Sequence, residues 1–169
     1  WTAKQRQMCS LHEISYRACF KAELPEFFIS RFSKEQEIVY DPFAGRGTTA
    51  VQASLMGRRF LANDINPLMK VLAEPRTAPP PVDAVRMRLQ EIDLSRDHIK
   101  EDNEPELEVF YSPQTLNEIR ALRSYLLQKR LQGTEDRVDQ WIRMVATNRL
   151  TGHSKGFFSV YTLPPNQAV

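Results

Sequence analysis

The sequence predicts a partial, helix-rich α/β fold: a few parallel strands, then a helical insertion. Three observations carry this. A strand, a glycine turn, a helix and a second strand follow one another between Glu37 and Asp64. After Pro81 the apolar residues recur at helical spacing and not at strand spacing. Between the two lies a proline-rich connector, "PRTAPPP", which reads as a stiff spacer.

In chain order, "AELPEFFISRFS" reads as an amphipathic helix with Leu24, Phe27, Phe28 and Phe32 on one side. "EIVYDPF" is a strand ending at Pro42, and "TTAVQASLMG" a helix stopped by Gly57. "RRFLAND" is the second strand. "NPLMKVLAE" is a short helix expected to stop before Pro75. "VDAVRMRLQEIDL" is another helix, and "EVFYS" a short third strand or a loop. Ser112 and Pro113 supply an N-cap and a first helical residue for the next helix, with Leu116, Ile119, Leu122 and Leu126 at helical spacing. A last helix starts from a Thr134 cap and ends near Gly152, with Val138, Trp141, Ile142 and Val145 as core.

Composition narrows the function classes. A net charge of +2 argues neither for nor against nucleic acid. From Glu91 to Ser112 there are eight acids against two bases, and the block "EDNEPELE" reads as a solvated linker. From Pro113 to Val169 there are eight bases against four acids. Cys9 and Cys19 form no disulfide framework and His12, His98 and His153 are scattered, so no metal site and a cytosolic, reducing compartment are expected. No apolar run reaches the ~20 residues of a membrane helix, and no signal peptide is recognisable. A chain starting at Trp1 and stopping at Val169 reads as a fragment.

"GRGTTA" places Gly45, Gly47 and Ala50 in the G-x-G-x-x-G/A pattern of a Rossmann-like nucleotide site. The glycines let a ligand approach the backbone. Asp64, ending the next strand, stands where an acid that binds ribose hydroxyls is expected. No Lys-Ser/Thr follows the glycines, which argues against a phosphate loop. Asp41 separates the remaining ligands: a pyrophosphate disfavours a carboxylate beside the turn. S-adenosylmethionine brings a positive sulfonium and ammonium that favour one. Asp64 then takes the ribose, and Ile65 packs on the adenine. The competing reading of Asp41 is a turn-forming Asp-Pro.

"DPFAGRGTT" resembles the S-adenosylmethionine motif of the amino-methyltransferases that modify adenine N6 or cytosine N4 in DNA, and "RRFLANDINP" resembles their second motif. "LHEISYRACFKAELPEFFISRFS" is similar to their N-terminal cofactor motif: Tyr16, Ala18, Phe20 and Pro25 match, while Arg17, Cys19 and Ala22 depart from it. The resemblance covers roughly residues 11 to 74. It implies a partial methyltransferase fold that binds S-adenosylmethionine through Tyr16, Ala18, Phe20, Asp41, Phe43, Gly45, Gly47, Thr48, Asp64 and Ile65, the backbone of Tyr16 to Phe20 closing over the methionine end. It divides the chain into a cofactor-binding half (1–74), a linker and helix (75–112), and a helical insertion with a C-terminal extension (113–169).

The family's D/N/S-P-P-Y/F/W motif, which holds the target amine and stacks on the flipped base, has one candidate, "TLPPNQ". Leu163 and Asn166 stand where an acceptor and an aromatic are needed, so it is rejected and no catalytic residue is assigned. The reading is a cofactor-binding part of a DNA amino-methyltransferase, as in restriction-modification, inactive alone. The DNA is met by the full-length protein, with phosphate contacts expected at Arg120, Arg123, Lys129, Arg130 and Arg143. The alternatives are an RNA methyltransferase fragment and a non-catalytic interaction module. The first strand also lacks one neighbour. Its open edge is expected to be covered by "FFSVYTL", through Phe158, Val160 and Tyr161, or by a second copy in a homodimer.

Overall fold

A computed structural model describes residues 9–14, 16, 19–95 and 106–149. The chain divides into two compact units, Trp1–Pro79 and Pro80–Val169.

The first unit runs from a short 3-10 turn (Ser10–His12) through α1 (Glu23–Phe32), β1 (Ile38–Asp41), α2 (Thr48–Leu55) and β2 (Arg59–Ala62) to α3 (Leu68–Thr77). β1 and β2 are parallel, with Ile38 opposite Arg59 and Asp41 opposite Ala62. Two further bonds carry the pairing into the loops: Asn63 N donates to Asp41 O and Ala44 N to Asn63 O, both at 2.9 Å. The strand–helix–strand order is thus the expected one, in a small parallel sheet on an otherwise helical chain. α2 is the centre of the unit, touching α1, α3 and both strands. Its buried side chains include Ala50, Val51 and Ala53, small enough for close approach on several sides.

Two expectations for this unit change. Leu24, Phe27, Phe28 and Phe32 are exposed, Phe32 at 78%, while α1 buries Pro25 and Ile29. The aromatic stripe instead packs on itself: Phe27 meets Phe28 edge-on at 5.3 Å, Phe28 stacks on Phe32, and the Arg31 guanidinium lies 3.6 Å over the Phe27 ring. Pro25, a poor marker of a core face, marks it here because it sits one helical turn from Ile29. Second, α3 continues through Pro75 to Thr77. The proline costs one helical hydrogen bond, but the added turn buries Pro75 and Arg76.

The second unit holds α4 (Val82–Glu91), α5 (Pro113–Leu131) and α6 (Arg137–Arg149). Ser112 caps α5 as expected, its Oγ accepting from Thr115 N at 3.3 Å, and Leu116 and Leu126 are buried. α6 starts two residues later than Thr134 implies. Asp136 is its cap: Asp136 Oδ1 accepts from Asp139 N at 2.9 Å and Asp139 Oδ2 from Asp136 N at 3.2 Å. This reciprocal pair is a capping box with a short acid in the third position. Ile142 is buried, as expected, but Val145 is exposed. "EVFYS" turns, with Leu107 O accepting from Phe110 N and Tyr111 N.

Asp139, fully buried, closes α4 onto α6. Arg88 Nη1 and the Tyr125 hydroxyl both donate to its Oδ1, the latter at 3.1 Å. Arg88 also donates to Asp136 at 2.8 Å and lies 3.3 Å from Glu91. These bonds raise the Arg88 pKa and pull Asp136 down to about 2.

Among the described residues the sheet has two strands. "FFSVYTL" and "TLPPNQ" lie outside the described residues. Among the described residues, no helix is long and apolar enough to cross a membrane and no group of His, Cys, Asp and Glu is placed to hold a metal.

Candidate binding site at the glycine turn

The C-terminal ends of β1 and β2 point to the same place, and the loops after them are joined there. Gly45 N donates to Asp64 Oδ2 at 2.7 Å, and Asn66 N to Asp64 Oδ1 at 2.9 Å. The two backbone bonds, Asn66 first and Gly45 second, hold the Asp64 carboxyl below its usual range. Asp64 therefore has a structural task that sequence reasoning missed: it ties the second strand to the glycine turn. Each of its oxygens still has a second lone-pair direction for a ligand hydroxyl. Asp41, half-buried, turns back on its own loop, its Oδ1 accepting from Phe43 N at 3.0 Å. That is an Asx turn, the competing reading of this residue, and it leaves acceptor capacity on the carboxylate.

The glycines are required by the geometry. Gly45 and Gly47 have φ of 53° and 82°, where side-chain-bearing residues are strained. A Cβ on Gly47 would also overlap the Cβ of Ala73 on α3. Gly47 is thus the contact that seats α3 under the turn. At Gly45 the nearest atom to an added Cβ would be Tyr16 Cε1, at 3.5 Å. The Tyr16 ring therefore lies over the turn, which brings the N-terminal arm to the site. Ala18 lies outside the described residues. Phe20 reaches the site through its carbonyl, 3.5 Å from Arg46 Nη2. Thr48 is buried and its hydroxyl accepts from Arg46 Nε at 3.0 Å.

Two large apolar side chains beside these loops have no cover. Phe43 is 85% exposed and Ile65 fully so. Ile65 directly follows Asp64.

The arginines at 46 and 76 were not singled out by sequence reasoning. Arg46 occupies the variable place between two glycines, and Arg76 was assigned to a connector. Both are buried. An Arg expected on the surface and found buried is a signal that composition and periodicity do not carry.

Of the five residues expected at DNA, Arg120 pairs with Glu108 at 3.1 Å, Arg143 pairs with Glu135, and Lys129 lies 5.7 Å over the Tyr125 ring. Arg123, Arg130 and Arg143 stand together round an apolar groove of about 430 Å³ between α5 and α6, whose lining includes Ile119, Leu122 and Leu126.

Comparison with known proteins bears on the first unit. Residues 1–74 match the family described as DNA methylase. The chain is similar to the Type II methyltransferase M.MjaII of Methanocaldococcus jannaschii, 39% identical over 59 residues, covering 35% of this chain and 11% of that protein. It is equally similar to the Orphan methyltransferase M.BamHII of Bacillus amyloliquefaciens, 39% over 62 residues, 36% of the chain and 23% of the relative. The Type II methyltransferase M.BsoBI of Geobacillus stearothermophilus is 33% identical over 70 residues, 40% and 14%. The matched segments span less than a quarter of each of these curated relatives. No solved structure matches the chain. The family description favours DNA over the RNA alternative.

Proposed function

We propose, from the match of residues 1–74 to the family described as DNA methylase, that the glycine turn is the S-adenosylmethionine site of a DNA amino-methyltransferase. The observation that carries the proposal is the Asp64–Gly45 bond at the carboxyl ends of two parallel strands, the position where open α/β sheets take ligands. Asp64 accepts from the ribose hydroxyls, Ile65 lies on the adenine, and Gly45 and Gly47 keep the backbone clear. Asp41 faces the positive methionine end, Phe43 and Thr48 border it, and Tyr16, Ala18 and Phe20 close over it. When bound, the cofactor supplies an electrophilic methyl group on a sulfonium; the acceptor is an exocyclic amine of adenine or cytosine in DNA. This chain's residues hold and orient the cofactor, and none is assigned to the amine. The Rossmann-like character of the sheet belongs to the same proposal.

Amide spectra of the chain titrated with S-adenosylhomocysteine test the site. Shifts should concentrate at Gly45, Gly47 and Ile65. Shifts confined to the second unit would contradict the assignment.

A further inference from the structure

Two buried guanidiniums link three segments of the first unit. Arg76, from the last turn of α3, donates through Nε to Leu72 O at 2.6 Å, through Nη1 to Leu11 O at 2.8 Å, and through Nη2 to Arg46 O. Arg46, inside the glycine turn, donates through Nη1 to Ile14 O at 2.8 Å, through Nη2 to Phe20 O at 3.5 Å and through Nε to Thr48 Oγ1. α3 is thereby joined to the turn, and both are joined to the arm before α1. His12, fully buried, adds a third link by donating from Nε2 to Gln52 Oε1 on α2 at 3.1 Å.

The choice of residue is informative. Arg46 and Arg76 are 7% and 2% exposed, and every acceptor found for them among the described residues is a carbonyl or a hydroxyl. Burying two neighbouring cations without a bonded carboxylate is unfavourable. Burial, with the Arg46 charge second, brings the Arg76 pKa down to about 10. A planar fork of five N–H donors repays this by satisfying carbonyls of several segments at once, which no neutral side chain of that length can do. Among the described residues before α1, where those carbonyls lie, the regular structure is one 3-10 turn. Without the guanidiniums, the carbonyls of Leu11, Ile14 and Phe20 lose the donors that fix the path of Tyr16 across Gly45.

We propose that Arg46 and Arg76 are positioning residues, a paired staple that holds Leu11, Ile14 and Phe20 of the arm before α1 on the glycine turn and so sets cofactor affinity. The second half of this statement rests on the S-adenosylmethionine reading; the first half does not.

Hydrogen exchange of the full chain, with calorimetry against S-adenosylhomocysteine, separates the two. Arg46→Met should speed exchange of arm amides about tenfold or more while α2 amides keep their protection, and should weaken binding about tenfold. Arg46→Lys keeps a charge but cannot bridge Ile14, Phe20 and Thr48. It should fold and still loosen the Phe20 end, which keeps the test decisive should the Met variant fail to fold. Unchanged arm exchange in both variants overturns the staple. A loosened arm with unchanged affinity overturns its control of the cofactor. A wild-type chain that binds no cofactor, with a variant whose arm is loosened, overturns the S-adenosylmethionine reading and leaves the staple standing.

Discussion

Gly47 has no room for a side chain: its φ is 82° and a Cβ there would overlap Ala73. Gly47→Ala should therefore destabilise the first unit by ~1–3 kcal/mol through overpacking alone, read as a lower denaturation midpoint; an unchanged midpoint would contradict the contact. Asp64→Ala should weaken S-adenosylhomocysteine binding at least about tenfold, the scale of one charge-assisted bond. It also removes the anchor of Gly45, so exchange at the Gly45 amide should rise in the same variant. An equal dissociation constant in a folded Asp64→Ala chain would refute the ribose role. Both residues were legible in the sequence because chirality and motif spacing constrain them. The second task of Asp64 was not, since a backbone donor 19 positions away leaves no mark on composition.

At the scale of elements, propensity placed β1, α2 and β2 correctly and misjudged features decided by tertiary contact. Pro75 predicts a helix end at Glu74, but α3 runs three residues further and buries Arg76 there. α1 was expected to bury its aromatics; neighbouring surfaces cover Pro25 and Ile29 instead. The α4–α6 junction was equally hidden, because Arg88, Asp136 and Asp139 read as surface charges until Asp139 is seen buried. Arg88→Met leaves that carboxylate without its cation and should cost about 3 kcal/mol, measured by urea unfolding. A loss within experimental error would mean the ion pair is idle. Asp136 titrates at about 2 when folded, against 3.8 ordinarily, so its contribution is present above pH ~4 and lost as the pH falls through about 2. Wild type should lose stability across that window, and Arg88→Met should lose less; parallel acid profiles would contradict the linkage. His12 works in the same direction at higher pH. Burial lowers its folded pKa below 6.5, so the first unit should lose stability as the pH falls below that value.

At the scale of the whole molecule, the family match, residues 1–74, lies within the first unit. If Arg120, Arg123, Lys129, Arg130 and Arg143 meet phosphates, DNA affinity should fall steeply with salt, and replacing Arg123 and Arg130 with Gln should flatten that slope by about two. An identical slope would assign these charges to the solvated face and to their internal pairs. Among the described residues β1 pairs on one side only, and light scattering distinguishes the two expected covers of the other, since only a second copy doubles the mass. The ligand is the claim on which the rest turns. Calorimetry of the chain with S-adenosylmethionine, S-adenosylhomocysteine and NADH tests it most directly. The first two should bind measurably and NADH should not, because Asp41 stands beside the glycine turn. NADH binding more tightly than S-adenosylmethionine would contradict it.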